Sequence, residues 1–179
     1  PFNFTMQNSE IILVSITGMD KPGITTALTH ILGKYNAKIL DIGQANIHHS
    51  LSLAIIFMSK NGSSGNILKE ILFKANTLEV NVRFTALSMD EYNNWVKVQG
   101  KNRYIIHILG KELGAEQISQ MSNVLLDFNL NIERIIRLTQ RIPLDRQINR
   151  TCFEFAVRGN LSKVKEIQNR FLSLSSELN

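Results

Sequence analysis

Residues 17–32, "TGMDKPGITTALTHIL", set a carboxylate (Asp20), a proline (Pro22) and a glycine (Gly23) between an apolar run and a periodic one. If the periodic run is a helix, its first turn offers backbone N–H groups without intrahelical partners, and the helix dipole favours an anion in front of them. Those of Gly23 and Ile24 are the candidates, and Gly23 admits close approach because it has no side chain. Asp20 could meet an ammonium group from the other side, so the loop has a polarity suited to an amino-acid zwitterion. A plainer reading stands beside this one, in which Asp20 tightens the turn and Pro22-Gly23 starts the helix.

Other residues that could do chemistry have simpler explanations. Gln44, next to Gly43, can reach a ligand or a neighbouring subunit, or hydrogen-bond locally on a bulged strand. His48-His49 at a hairpin reads as a polar turn and not a metal pair, because adjacent strand residues point to opposite faces. Cys152 is the single cysteine, so the chain has no internal disulfide or cysteine cluster, and four scattered histidines give no zinc pattern. It reads as a small buried thiol. Arg134, Arg137 and Arg141 form a basic stripe that suits an exposed strand face or an acidic partner better than a phosphate.

The elements that must position the loop follow from periodicity. Ile11 to Ile16 (IILVSI) predicts a buried strand ending at Thr17-Gly18. Ile24, Ala27, Leu28, Ile31, Leu32 and Tyr35 keep one helical face, with Pro22 as a tolerated first helical residue. Residues 37–47 and 51–58 predict two strands joined through 48–50, with a bulge at Gly43. Ile67, Leu68, Ile71, Leu72 and Ala75 mark a second helix, and Val80, Val82, Phe84 and Ala86 alternate as a half-buried strand. The order is βαββαβ, a split βαβ plait.

From Arg103 the order begins again. "RYIIHIL" is a strand, Gly110 and Gly114 lie in a loop, and Ile118, Met121, Leu125 and Phe128 share a helical face. "LNIERIIRLT" (130–139) and "TCFEFAVR" (151–158) predict two strands, and Val164, Ile167, Phe171 and Leu174 a last helix. "LGKYNAKI" (32–39) lies over "LLDFNLNI" (125–132), sharing Leu, Asn and Ile. The expectation is an α+β chain of two ferredoxin-like units in tandem: residues 1–9 as leader or added residues, 10–87 as the first domain, 88–102 as a polar linker, and 103–179 as a second domain lacking its last strand. An unpaired neighbouring strand would result, so the native chain is expected to continue past 179, and Met6 to be the natural start.

The 179 residues are 44% hydrophobic and 20% charged, ordinary for a globular protein, and carry a net charge of +5. No apolar run reaches the roughly 18 residues of a membrane span and no signal peptide is visible, so a cytoplasmic location is expected. The same plait carries RNA-binding modules, but those stack bases on aromatics of central strands, and "LSLAIIFM" offers only Phe57, in alternation with core residues.

The stretches "ITGMDKPGITTALTHIL" and "NAKILDIGQANIHHSLSLAIIF" resemble an ACT domain, a βαββαβ module that binds amino acids and regulates enzymes of amino-acid metabolism. More narrowly, "ILDIGQANIHHSLSLAI" and "LNIERIIRLT" resemble the paired ACT modules ahead of the haloacid-dehalogenase-type catalytic domain of bacterial phosphoserine phosphatases. The resemblance implies regulation by an amino acid, with L-serine as the expected end product, a homodimer formed through ACT units, and no nucleic-acid or membrane partner. It implies no cofactor in this chain, Mg belonging to the catalytic domain. That domain's nucleophile lies in a D-x-D-x-T motif. Asp20, Asp41, Asp90, Asp127 and Asp145 each lack a second Asp two positions on, so no phosphatase activity is expected here. A freestanding tandem-ACT regulator acting by protein contact is the alternative. The ligand set implied is Asp20, Pro22, Gly23, Ile24 and Gln44 in the first copy, and Gly110, Glu112 and Asn131 in the second. The second loop, "LGKELGAEQ", departs from the pattern: it has no proline and one extra residue before its helix comes into register. At the start of the second strand, Asn131 offers both donor and acceptor, whereas Lys38 is expected to be solvated.

Overall fold

The computed structural model describes residues 9–60, 62–99, 103–111, 113–141, 143, 146, 150–160 and 162–177, and the chain divides into two compact units, Pro1–Val96 and Lys97–Asn179. The first contains β1 (Ser9–Met19), α1 (Ile24–Lys34), β2 (Lys38–Ile47), β3 (Ser50–Lys60), α2 (Ser64–Thr77) and β4 (Val80–Leu87). Its antiparallel sheet has the order β2-β3-β1-β4. Alternation in the apolar runs puts Ile12, Val14 and Ile16 opposite Phe57, Ile55 and Leu53 on one face. Onto that face α1 sets Ile24, Leu28, Ile31 and Leu32, and α2 sets Ile67, Ile71 and Ala75. Each large side chain so buried contributes about 1.5–3 kcal/mol of transfer free energy.

The second unit repeats the pattern with β5 (Arg103–Gly110), α4 (Ala115–Asp127), β6 (Asn131–Arg137), β7 (Thr151–Arg158) and α5 (Val164–Glu177). Its sheet order is β5-β7-β6, and its core gathers Ile108, Met121, Leu125, Phe155, Val157 and Ile167. The Asn shared by the two copies has a structural reason. Asn36 (φ 52°) and Asn129 (φ 54°) both take the left-handed conformation after a helix. The following N–H closes on the carbonyl five residues back, Ala37 to Leu32 and Leu130 to Leu125. Among the described residues no strand pairs with the free edge of β5. A trough of about 730 Å³ runs there between β5 and α5, lined by Tyr104, Ile106, Ile108, Phe171 and Leu172. In the first unit, β4 pairs with β1 at the corresponding edge.

Several local expectations are corrected. Helix α1 begins at Ile24 with Gly23 as its N-cap, so Pro22 stands outside the helix. The β2 bulge falls between Ile39 and Asp41 and not at Gly43, which pairs in register with Ala54; β6 has the same bulge between Ile132 and Arg134. Part of the segment read as a linker forms α3, Met89–Val98. Its start is a reciprocal capping box: Glu91 Oε2 accepts from the Ser88 N–H (2.7 Å) and Ser88 Oγ from the Glu91 N–H (3.1 Å). Those bonds to Ser88 hold the Glu91 carboxyl below its usual value. The arginines are not one stripe. Arg134 stands opposite Ala156 and Arg137 opposite Phe153, on opposite faces of the sheet. Cys152 is half-buried on the sheet face away from the core. The His48 and His49 rings meet edge to face at 4.1 Å, because the positive φ of His48 (55°) turns the chain between them.

The two helices of the first unit are joined at the surface by Glu70, whose Oε1 accepts from Lys34 Nζ (2.6 Å) and Tyr35 Oη (2.5 Å). The Lys34 bond first, and the Tyr35 bond second, hold the Glu70 carboxyl below its ordinary value. Its stabilising contribution is therefore present above the unfolded carboxylate value of about 4.3 and lost as pH falls through the depressed folded value. Glu70→Gln should lower the urea midpoint at neutral pH and flatten its decline into acid relative to wild type. Leu28→Ala, at a fully buried position, should cost about 2–5 kcal/mol in urea unfolding.

Candidate functional site

Between Met19 and Ile24 the chain passes from strand to helix through Asp20, Lys21, Pro22 and Gly23. The Asp20 N–H donates to the His49 carbonyl (2.8 Å), carrying the β1–β3 pairing one step onto the hairpin. Gly23 adopts φ 93°, and its carbonyl accepts from the Ala27 N–H at 2.9 Å. No side chain caps α1 and no acidic residue stands in its first turn. The Ile24 side chain is buried in the core, so only its backbone faces the loop. Lys21 is drawn away. Its ammonium pairs with Glu79 (2.6 Å) and lies 3.4 Å from the Leu78 carbonyl, and that hydrogen bond holds the Glu79 carboxyl below its usual value.

The neighbouring wall of the site is β2, exposed along its length except at half-buried Leu40. Ile42, Gln44 and Asn46 stand opposite Ile55, Leu53 and Leu51, on the face that carries the helices. Thr25 Oγ1 donates to Gln44 Oε1 (2.8 Å), and Asn46 Nδ2 donates to Asp20 Oδ2 (2.5 Å). The structure thus brings Asp20, Gly23, the Ile24 backbone and Gln44 into one place, with Pro22 exposed in the loop between them. It adds Thr25 and Asn46, which sequence reasoning passed over. The available signal for Asn46 was its position two residues after Gln44 on a strand, which fixes the same face. Facing solvent, this array offers an amide donor, amide and carboxylate acceptors and helix-terminal N–H groups, a set that can hold both ends of a zwitterion.

The second copy is built differently. Gly110 ends β5 opposite Thr151, whereas Asn131 begins β6 opposite Arg158. Thr151 and Arg158 are the two ends of β7, about 23 Å apart at 3.3 Å per residue, so these two predicted residues are not brought together within one copy. Glu112 lies outside the described residues. Lys38, the counterpart of Asn131, is exposed, and both stand on the sheet face away from the helices. Helix α4 closes its own start: Gln117 Oε1 accepts from the Gly114 N–H at 3.0 Å. In the register place of Gln44, beside the fourth partner after the shared bulge, stands Arg137, whose Nε donates to Thr139 Oγ1 at 3.1 Å.

Residues 10–85 match the family model described as the ACT domain. The chain is 28% identical over 156 residues to a phosphoserine phosphatase of Streptomyces coelicolor, covering 86% of this chain and 35% of that protein. It is 22% identical over 125 residues to a phosphoserine phosphatase of Mycobacterium tuberculosis, covering 69% of this chain and 30% of that one. The chain therefore spans about a third of the length of these curated relatives. A crystal structure of an unknown protein from Galdieria sulphuraria shares the fold with a TM-score of 0.73 at 14% identity, covering 94% of this chain and 93% of the other. A protein assigned as a glycine cleavage system transcriptional repressor does so with a TM-score of 0.65 at 12% identity, covering 95% and 92%.

A Cβ built on Gly23 meets no heavy atom within 4 Å, so a substitution there acts through the backbone alone. Gly23→Ala should destabilise the first unit by about 1–2 kcal/mol through the left-handed φ, read as a shift in the urea midpoint with the unfolding slope unchanged.

Proposed function

We propose, from the match of residues 10–85 to the ACT-domain family model, that the chain is the regulatory, amino-acid-binding region of a phosphoserine phosphatase, with L-serine as its ligand. The observation that carries the reading is one loop that sets the Asp20 carboxylate beside a helix N-terminus without a side-chain cap. In that loop the carboxylate can accept from an ammonium group and the helix-terminal N–H groups can donate to a carboxylate. Relatives that are phosphoserine phosphatases over most of this chain support the pathway, and the third of their length that it spans supports a regulatory role for this part. Phosphoester hydrolysis, with its Mg, belongs in this reading to the rest of the longer protein.

Ligand acts by preferring one arrangement of ACT units to another, since only differential affinity moves an equilibrium. A homodimer in which a second unit covers the exposed β2 wall gives such an arrangement. The second reading is a freestanding tandem-ACT regulator that works by protein contact. Two solved structures share the fold of this chain over more than nine-tenths of each chain.

Titration calorimetry of the chain with L-serine, with glycine and other amino acids as controls, tests the proposal. Saturable binding that prefers L-serine is the expected result. Asp20→Ala should weaken it by about tenfold, the worth of one charge-assisted hydrogen bond, while circular dichroism shows the fold intact. Absence of binding by any amino acid would leave the loop as scaffolding and remove the sensor function.

A further inference from the structure

The two units present the same central strand in different company, and from that difference we infer that the trough beside β5 seats a further β-strand, supplied by the polypeptide that follows α5 in a longer protein. β1 pairs with β3 on one side and with β4 on the other, whereas among the described residues β5 pairs with β7 alone. The registers make the two strands equivalent. Ile12, Val14 and Ile16 stand opposite Phe57, Ile55 and Leu53, and Tyr104, Ile106 and Ile108 opposite Val157, Phe155 and Phe153. In the first unit all three are buried, Ile12 at 5% exposure. In the second, Tyr104 takes the place of Ile12 and is 38% exposed, and the trough of about 730 Å³ opens between β5 and α5. The apolar face that β4 covers in one copy is uncovered in the other.

β5 is not built as an exposed edge. Strands left at the edge of a sheet are ordinarily protected from pairing by charges, prolines or bulges. β2 has its bulge with Lys38 and Asp41, β6 its bulge with Glu133, Arg134 and Arg137, and β4 carries Arg83. Between Arg103 and Gly110, β5 reads YIIHIL, with no proline, Lys, Arg, Asp or Glu and an unbroken register against β7. Such an edge offers its backbone N–H and C=O groups to an incoming strand, and its apolar face to that strand's alternate side chains.

The first unit identifies the occupant. After α2, Leu78 and Glu79 turn the chain, with Glu79 left-handed (φ 56°), and β4 runs antiparallel to β1 from Val80 opposite Gly18 to Leu87 opposite Ile11. It sets Val82 and Phe84 opposite Ile16 and Val14, packed against the core. The same connection after α5 starts a strand opposite Gly110 and ends it opposite Arg103, with apolar residues against Ile108, Ile106 and Tyr104. Eight residues, the length of β4 and of β5, span the edge. Whatever follows this strand leaves the second unit beside the start of β5, so the strand is both the last wall of this core and the link that attaches the rest of the longer protein. Relatives of which this chain spans 35% and 30% have the length to supply it. The inference rests on the chain being part of a longer protein and not on which ligand it binds.

The test is amide hydrogen exchange, read by mass spectrometry, on the 179-residue chain and on the longer protein, each at two concentrations. Peptides covering β5 should exchange at least about tenfold more slowly in the longer protein, with β3 of the first unit as the internal control. Tyr104→Lys should leave the urea midpoint of the 179-residue chain nearly unchanged and lower that of the second unit in the longer protein, where the strand covers Tyr104. Equal exchange of β5 in the two proteins, or an equal response to Tyr104→Lys, would overturn the inference. Protection of β5 already present in the shorter chain and growing with concentration would assign the edge to a second copy, and overturn it as well. A native protein whose intact mass ends at residue 179 would instead overturn the longer-protein reading, and the inference with it.

Discussion

The hydrogen bond from the Asp20 N–H to the His49 carbonyl is the constraint on which the first unit's site depends. It extends the pairing of Met19 with Ser50, so the end of the central strand and the β2–β3 turn are locked in one register. Strand side chains alternate, and a slip of one residue would carry Gln44 and Asn46 to the opposite face of the sheet, away from Thr25 and Asp20. The site is thus assembled by backbone register first, and its two side-chain bonds only finish an approach that the sheet has already made. Gly23 completes the frame, because its left-handed backbone lets α1 start immediately behind the loop.

The two units share a fold but differ in chemistry. Both have a bulge after the first two residues of the second strand, and both close the first helix with a left-handed Asn. These are solutions to geometric problems that any such plait meets: ending a helix against a sheet and twisting an edge strand. The residues that would meet a ligand are free of those duties, and there the copies diverge. Fold and site are therefore separable within one chain.

The basic excess is handled locally in the second unit. Glu133 pairs with Arg158 and with Arg103 (3.3 Å), and Glu154 joins Arg134 (2.9 Å) and His107 (3.1 Å) across the strands. Of the arginines read as one basic stripe, Arg134 joins these cross-strand pairs and Arg137 stands on the opposite face. Each exposed pair contributes little, with a median of about 0–1 kcal/mol. Their consequence is an outer sheet face of alternating signs and not one of a single sign.

Sequence alone determined the tandem α+β plait, nearly every element, both core faces and the loop at Asp20–Gly23, because period-2 and period-3.6 alternation of apolar residues is a local property that folding does not overturn when it agrees with packing. It also contained the Ser88–Glu91 capping box that starts α3, a local signal that the polarity of the segment masked. Tertiary structure alone decided the partnerships between residues distant in the chain: Thr25 with Gln44, Asn46 with Asp20, and the separation of Gly110 from Asn131. The same holds for the bulge after Ile39, where pairing with β3 and not the presence of Gly43 sets the extra residue. The physical reason is common to all of these. Strand register and side-chain hydrogen bonds depend on which edges meet, and that is fixed by packing two helices on one sheet, a property no single stretch of sequence carries.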